Sequence, residues 1–291
     1  MRKTRVIAIA NQKGGVGKTT TVVNLAAALS ELGKTVLVID LDPQANATSG
    51  LGLPRQSGVS LYPVLTGAAD VADIIQPTPY ENINIIPAEL DLAGAEIEIA
   101  RQPNHLGVVR GVLDRVLEAG VFDYVLMDCP PSLGILMTSS LAAADGIVVT
   151  MQCEYYAMEG LSVITSIIRQ MHDNGANPGL KLEGILMTMY DGRTRLAAEV
   201  VDEVRAHFGD VVYQTVIPRN VRISEAPSFG QPVVFYDPAS RGALAYRAFA
   251  EEFARKTASA FTSAAPDTAE PSAAPEPSAT PEPPVSPAPT P

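Results

Sequence analysis

KGGVGKTT, positions 13–20 of a 291-residue chain, puts three glycines and a lysine–threonine pair between two structural signals. The apolar run RVIAIA precedes it, and a periodic apolar segment opens at Lys18. Strand, glycine loop and helix in that order are the setting of a phosphate loop. Gly14, Gly15 and Gly17 let the backbone turn successive N–H groups inward, so that the stretch Gly14, Gly15, Val16, Gly17 forms a concave nest for an anion. The positive end of the following helix adds to it. Lys18 is then placed for the β- and γ-phosphates of a nucleotide, Thr19 for Mg²⁺, and Thr20 for the phosphates beside it. The local alternative is a glycine turn that binds nothing. One departure stands out: the usual spacing G-x-x-x-x-G-K-[ST] asks for glycine at position 12, where this chain has Gln12, followed by a second lysine, Lys13. A cation in front of the nest can be a solvated surface lysine. It can also cross a symmetric interface and neutralise a partner's phosphates, as an arginine finger does.

Carboxylates follow at the ends of two further apolar runs. VLVIDLDPQ carries Asp40 and Asp42, with Pro43 stopping further pairing. One such carboxylate can orient or deprotonate a water, and another can hold Mg²⁺ or its waters. DYVLMD ends in Asp128, which after a phosphate loop reads as the aspartate that holds Mg²⁺ through water. Two prolines in the following PPSLG resist helix and favour an extended turn.

These residues need a scaffold that gathers loop ends. The strand candidates are RVIAIA, TVLVID, INIIP, DYVLMD, GIVVTM, LEGILMTM and VVYQTVIP. Between them lie helical segments such as KTTTVVNLAAALSELG, capped by Gly33, and LGVVRGVLDRVLEAG, EGLSVITSIIRQMH and RLAAEVVDEVRAHFG. Alternation of this kind predicts an α/β fold, a mainly parallel twisted sheet with helices on both faces and ligands at the carboxyl ends of the strands. Residues 1–262 are expected to form one ATPase-type domain. Residues 263–291, rich in Pro, Ala, Ser and Glu, offer almost nothing to bury and are expected to be a disordered tail. Cys129 and Cys153 lack CxxC spacing or nearby histidines and are expected to be reduced, buried thiols.

The net charge of −11 argues against a nucleic-acid coating over the whole chain. Residues 187–262, however, carry nine basic and nine acidic side chains, and eight of the nine basic ones are arginine. Arg193, Arg195, Arg219 and Arg222 fall in TMYDGRTR and VIPRNVRISEAP, on loops after predicted strands. Arginines on neighbouring loops can grip phosphate oxygens in bidentate fashion, which suffices for sequence-independent DNA binding. Ordinary solvated arginines, paired with Asp191, Glu225 or Asp237, are the plain alternative, and Arg219 and Arg222 can also act at a nucleotide or dimer interface.

Together, KGGVGKTT, VLVIDLDPQANATSGLG, DYVLMDCPPSLG and VIPRNVRISEAPSFGQPV resemble the ParA/Soj-type chromosome-partitioning ATPases, over nearly all of residues 5–260. These belong to the deviant Walker A branch of phosphate-loop proteins. The resemblance implies ATP and Mg²⁺ as cofactors and an ATP-sandwich homodimer in which Lys13 contacts the other subunit's nucleotide. It implies Asp42 as the hydrolytic carboxylate, with Lys18, and Asp40 as a support of the metal shell beside Thr19 and Asp128. Pro218, Asn220 and the Met187 region frame the adenine. It implies nonspecific double-stranded DNA binding by arginines in this part of the chain, and a ParB/Spo0J-like partner that stimulates hydrolysis. A cytoplasmic, nucleoid-associated protein with no membrane partner is expected.

Relatives in that branch differ by features this sequence lacks. A MinD-like membrane cycler ends in a basic amphipathic helix, whereas this chain ends in an acidic Pro/Ala stretch. Nitrogenase iron protein needs cluster-bridging cysteines. With four residues before the first strand, the short Soj-like form is expected rather than the form with an N-terminal helix-turn-helix domain. The rival reading is a positioning ATPase of the same family with a cargo other than DNA. A ligase-like relative such as dethiobiotin synthetase fits the second lysine and the PRNVRISEAP segment less well.

Overall fold

The computed structural model describes residues 4–154 and 157–262; the predicted disordered tail lies outside the described residues. Eight strands form one sheet: β1 (Arg5–Ala10), β2 (Val36–Asp40), β3 (Gln76–Pro77), β4 (Ile83–Ile86), β5 (Tyr124–Asp128), β6 (Gly146–Gln152), β7 (Lys181–Tyr190) and β8 (Val212–Pro218). Their spatial order is β3-β4-β2-β5-β1-β6-β7-β8, and every pairing is parallel except that of the two-residue β3 with β4. All seven strand candidates are present. Gln76–Pro77 gave no signal, because two residues on a sheet edge are too short to show alternation.

The residues of β1 explain why the sheet is covered on both sides. Ile7 and Ile9 pack on one face, with the helices Lys18–Glu31 and Arg241–Thr262, while Val6, Ala8 and Ala10 pack on the other. That second face is covered by apolar stripes such as Val109, Val112, Leu113 and Val116 of the helix Val108–Glu118. A strand buried on both faces reads as a continuous apolar run rather than an alternation, as RVIAIA does.

Strand β1 lies between β5 and β6, and the chain leaves it to reach β2 beyond β5. Its carboxyl end is therefore the point where the strand order reverses, the crevice in which open α/β sheets bind ligands. The register sets Asp40 of β2 directly beside Asp128 of β5, and Asp128 beside Ile9 of β1. Gly33 takes φ 71° just past the helix Lys18–Glu31 and donates its N–H to Ser30 O (2.9 Å), ending it as its sequence position predicts. Among the described residues, no helix is long and apolar enough to cross a membrane.

Candidate active site

The loop after β1 has the shape of an anion nest. Gly15 (φ 74°) and Gly17 (φ 87°) adopt the left-handed conformation, and the space a Cβ would take at Gly14 and Gly15 is open. The helix Lys18–Glu31 starts directly after Gly17 with no side-chain cap and no acidic residue in its first turn. Its first N–H groups are thus left for an external acceptor. Thr188 of β7 donates to Val16 O (2.9 Å), and Asn11 donates to Thr150 O (2.7 Å), so the loop is tied to two neighbouring strands.

Lys18 is buried, at 7% exposure, and its Nζ reaches back to Lys13 O (3.2 Å). Burial pushes the ammonium below its usual range, against the attraction of Asp128 and Asp42. Asp128 is fully buried, and neither carboxylate oxygen has a hydrogen-bond partner. The Thr19 hydroxyl approaches it without completing a bond. Burial, and then the charge of Asp40, push the Asp128 carboxyl well above the ordinary range. A buried carboxylate with both oxygens free is costly unless something pairs with it. A hydrated cation beside Thr19 is the group that fits.

Asp40 is differently placed. Its Oδ2 accepts from the Thr48 N–H (2.8 Å) and hydroxyl (2.7 Å), and its Oδ1 from the Asp42 N–H (3.2 Å). Burial raises its pKa to about 6, opposed by the Thr48 bonds. It braces the turn that carries Asp42. Asp42 is half-buried and accepts only from the Gln44 N–H (2.9 Å). Among the described residues, no three His, Cys, Asp or Glu side chains converge as a metal-binding group.

Lys13 points out of its own loop. Its Nζ pairs with Glu154 just beyond β6 (2.5 Å), and both side chains are about half exposed. The two cysteines are free and buried as expected, and the Cys129 thiol is pushed far up by burial beside Asp128.

A cavity of about 280 Å³ opens beside Gly17 and Thr20, lined also by Met189, Pro218, Arg219 and Asn220. Pro218 and Asn220 thus share a cavity with Gly17 and Thr20. Met187 does not: it is fully buried in the sheet, and Thr188 and Met189 take its place on the wall. Both faces of β7 are buried, and the strand meets the cavity only at its carboxyl end, through Thr188 and Met189. Met189 holds φ 51°, a conformation that costs a non-glycine residue roughly 1–2 kcal/mol. On the other side of Thr20 lies a cavity of about 430 Å³, lined by Thr19, Asn46, Ser49, Arg55 and Gln231. Arg55 donates to Ser49 (3.2 Å) and Asn46 (3.3 Å); nothing in its local sequence marks it.

Two of the four predicted arginines line one cavity, and two do not. Arg193 and Arg219 line a third cavity, of about 540 Å³, together with Arg241, which sequence reasoning missed. Arg195 pairs with Glu199 (2.7 Å) on the helix Arg195–Phe208, and Arg222 pairs with Glu225 (2.8 Å) and Asp237 (3.2 Å). Neither lines that cavity. Arg241 starts a helix nineteen residues after the end of VIPRNVR, and the packing of that helix start against Asn220 and Ile223 brings it back.

Comparisons with known proteins now bear on this arrangement. A family model described as an AAA domain matches residues 4–182. The chain is 52% identical to the sporulation initiation inhibitor protein Soj of Bacillus subtilis, over 86% of this chain and 98% of that protein. It is 48% identical to the chromosome partitioning protein ParA of Caulobacter vibrioides, over 85% of this chain and 93% of that one. The chain belongs to the ParA/Soj family of chromosome-partitioning ATPases. The fold is shared more widely within phosphate-loop proteins. A solved structure of cobyrinic acid a,c-diamide synthase from Mycobacterium smegmatis, with an ATP analog and magnesium, is 38% identical to this chain. It superposes with a TM-score of 0.76, covering 88% of this chain and 97% of that one. The ParA/Soj relatives are nearer in sequence, and they match over nearly their whole lengths.

Proposed function

We propose that this protein is a Mg²⁺-dependent ATPase that switches DNA affinity with nucleotide state. In this reading residues 1–262 are the ATPase domain, and residues 263–291 a dispensable spacer. The observation that carries the DNA arm is a shared wall: Pro218 and Arg219 line both the 280 Å³ cavity beside Gly17 and the 540 Å³ arginine cavity. Nucleotide in the first cavity bears on the position of an arginine in the second.

The phosphates of ATP occupy the Gly14–Gly17 nest, with Lys18 and Thr20 beside them and the base against Pro218 and Asn220. Thr19 and Asp128 would hold Mg²⁺, directly and through water, with Asp40 bracing the shell; the ion supplies charge neutralisation at the phosphates. Asp42, half-buried on the braced turn, orients the attacking water and accepts its proton. Lys13 leaves Glu154 and reaches the nucleotide of a second copy, closing a homodimer. An exposed ion pair of this kind contributes only about 0–1 kcal/mol, so its loss opposes closure weakly.

In the dimer, two copies of the arginine face bind double-stranded DNA without sequence preference, through Arg193, Arg195, Arg219 and Arg222. Hydrolysis, stimulated by a ParB/Spo0J-like partner, releases it. The site of action is the cytoplasm, on the nucleoid, with no membrane partner. The test is binding to random-sequence duplex with ATP, ADP or no nucleotide, using Asp42→Ala to hold the ATP state. Binding with ATP alone, weakened by Arg219→Ala, is expected. Equal binding in all three states, or none in any with ATPase intact, contradicts the DNA arm and favours a positioning ATPase with another cargo.

A further inference from the structure

The arginine cavity contains an anion of the protein's own. Asp191 lies in its wall with Arg193, Arg219 and Arg241. The Arg193 guanidinium grips the Asp191 carboxylate with two parallel bonds, Nε to Oδ1 (2.9 Å) and Nη2 to Oδ2 (2.7 Å). This is the fork geometry with which arginine takes a phosphate. Arg219 adds its charge to the same carboxylate, and the three interactions bring the Asp191 pKa down to about 2. Arg219 and Arg241 have no ion-pair partner among the described residues. One arginine is thus occupied and two are left open around one cavity.

We propose that this cavity is the seat of a backbone phosphodiester, with Arg241 as an unrecognised ligand, and that Asp191 is a built-in competitor that must yield Arg193 before DNA binds. The inference rests on the DNA-binding reading above and specifies where one phosphate sits and what opposes it. Arg195 is a natural contrast. It is held by Glu199 through one bond on an open helix face and does not line this cavity, so removal of that carboxylate uncovers no arginine there.

Asp191→Asn is a clean variant. Besides pairing with Arg193, Asp191 accepts the Arg193 backbone N–H at Oδ1 (3.1 Å), which closes the turn before Thr194. Asparagine keeps that acceptor and removes the charge. The comparison uses the full chain carrying Asp42→Ala, with ATP and Mg²⁺, titrated onto random-sequence duplex at several salt concentrations. Asp191→Asn is expected to bind about fivefold tighter, the release of one exposed pair. Its salt slope should steepen by about one per arginine freed. Arg241→Ala should weaken binding, and the double variant should lose most of the gain. Glu199→Gln, which removes an equal charge nearby, is expected to change affinity less than twofold. An equal gain from Asp191→Asn and Glu199→Gln would overturn the competitor, leaving only general electrostatics. Unchanged binding in Arg241→Ala would overturn the seat. Either result, with wild-type affinity still switched by ATP, leaves the DNA-binding reading standing. Absence of DNA binding by every variant in every nucleotide state would remove both.

Discussion

Two cation–carboxylate sets lie at the carboxyl ends of the same sheet, and they are finished to different degrees. Around Lys18 the charges are buried and incomplete: the ammonium is depressed by burial, and Asp128 has neither oxygen paired. Around Arg193 and Arg222 the charges are exposed and paired, with Asp191, Glu225 and Asp237 holding the guanidiniums. The contrast follows from solvent. A buried charge without a partner stores unfavourable energy that a ligand relieves, so the first set is built to bind strongly. An exposed pair costs little to make or break, so the second set is suited to exchange one anion for another.

The sharpest way to break this contrast is at its buried end. Lys18→Ala should lower kcat/KM for ATP by a factor on the order of 10²–10³, as removal of a main transition-state cation does, read by phosphate release. Asp42→Ala should reduce kcat by about 10²–10⁴ while ATP binding, measured by equilibrium titration, persists. Asp128→Asn should do what no arginine-face change does. It should leave the ligand-free protein at least as stable at pH 7, because a buried carboxyl that nothing pairs contributes no stability there. It should also shrink the Tm gain that Mg²⁺ and ATP confer. A lower Tm for ligand-free Asp128→Asn would mean that the carboxylate is already satisfied.

The same logic sets a pH dependence. Asp40, with its folded pKa raised to about 6, binds more protons folded than unfolded between roughly pH 4 and pH 6. Stability of the ligand-free protein contributed by this group therefore falls as pH rises through that window. Asp40→Asn, which keeps an acceptor for Thr48, should flatten that part of a denaturation profile. At the exposed end effects are smaller. Arg195→Ala should change DNA affinity by about twofold or less, since its guanidinium stands on an open helix face at 91% exposure.

Much of the buried set was legible in the sequence. The glycine loop, Lys18 and Thr19 are local, and Asp40 and Asp128 each end an apolar run, so strand and side chain are announced together. Their adjacency needed only the parallel register that βαβ alternation implies. The state of each carboxylate was not legible. Asp40 is committed to Thr48, eight residues on, while Asp128 is bare, and local sequence treats the two alike. The arginine cavity was half legible. Arg193 and Arg219 follow strands β7 and β8, which pair, so their loops must meet. Arg241 belongs to the cavity because the start of a later helix packs beside Asn220 and Ile223, and Arg195 and Arg222 are held by carboxylates instead of lining it. The Met187 region reaches the cavity through Thr188 and Met189 rather than through Met187 itself, a difference that neighbouring apolar residues on a doubly buried strand do not announce.

Lys13 joins the two sets, because it is exposed and paired like the arginines yet belongs to the buried loop. It pairs with Glu154 in the single chain, and in the proposed dimer it would change partner. The most direct measurement is the mass of the Asp42→Ala protein in size-exclusion light scattering, with and without Mg²⁺–ATP, alone and combined with Lys13→Ala. The account predicts that ATP doubles the mass of the first, and that the Lys13→Ala combination still binds ATP but stays at the mass of one chain. A dimer formed equally well without Lys13 would contradict it.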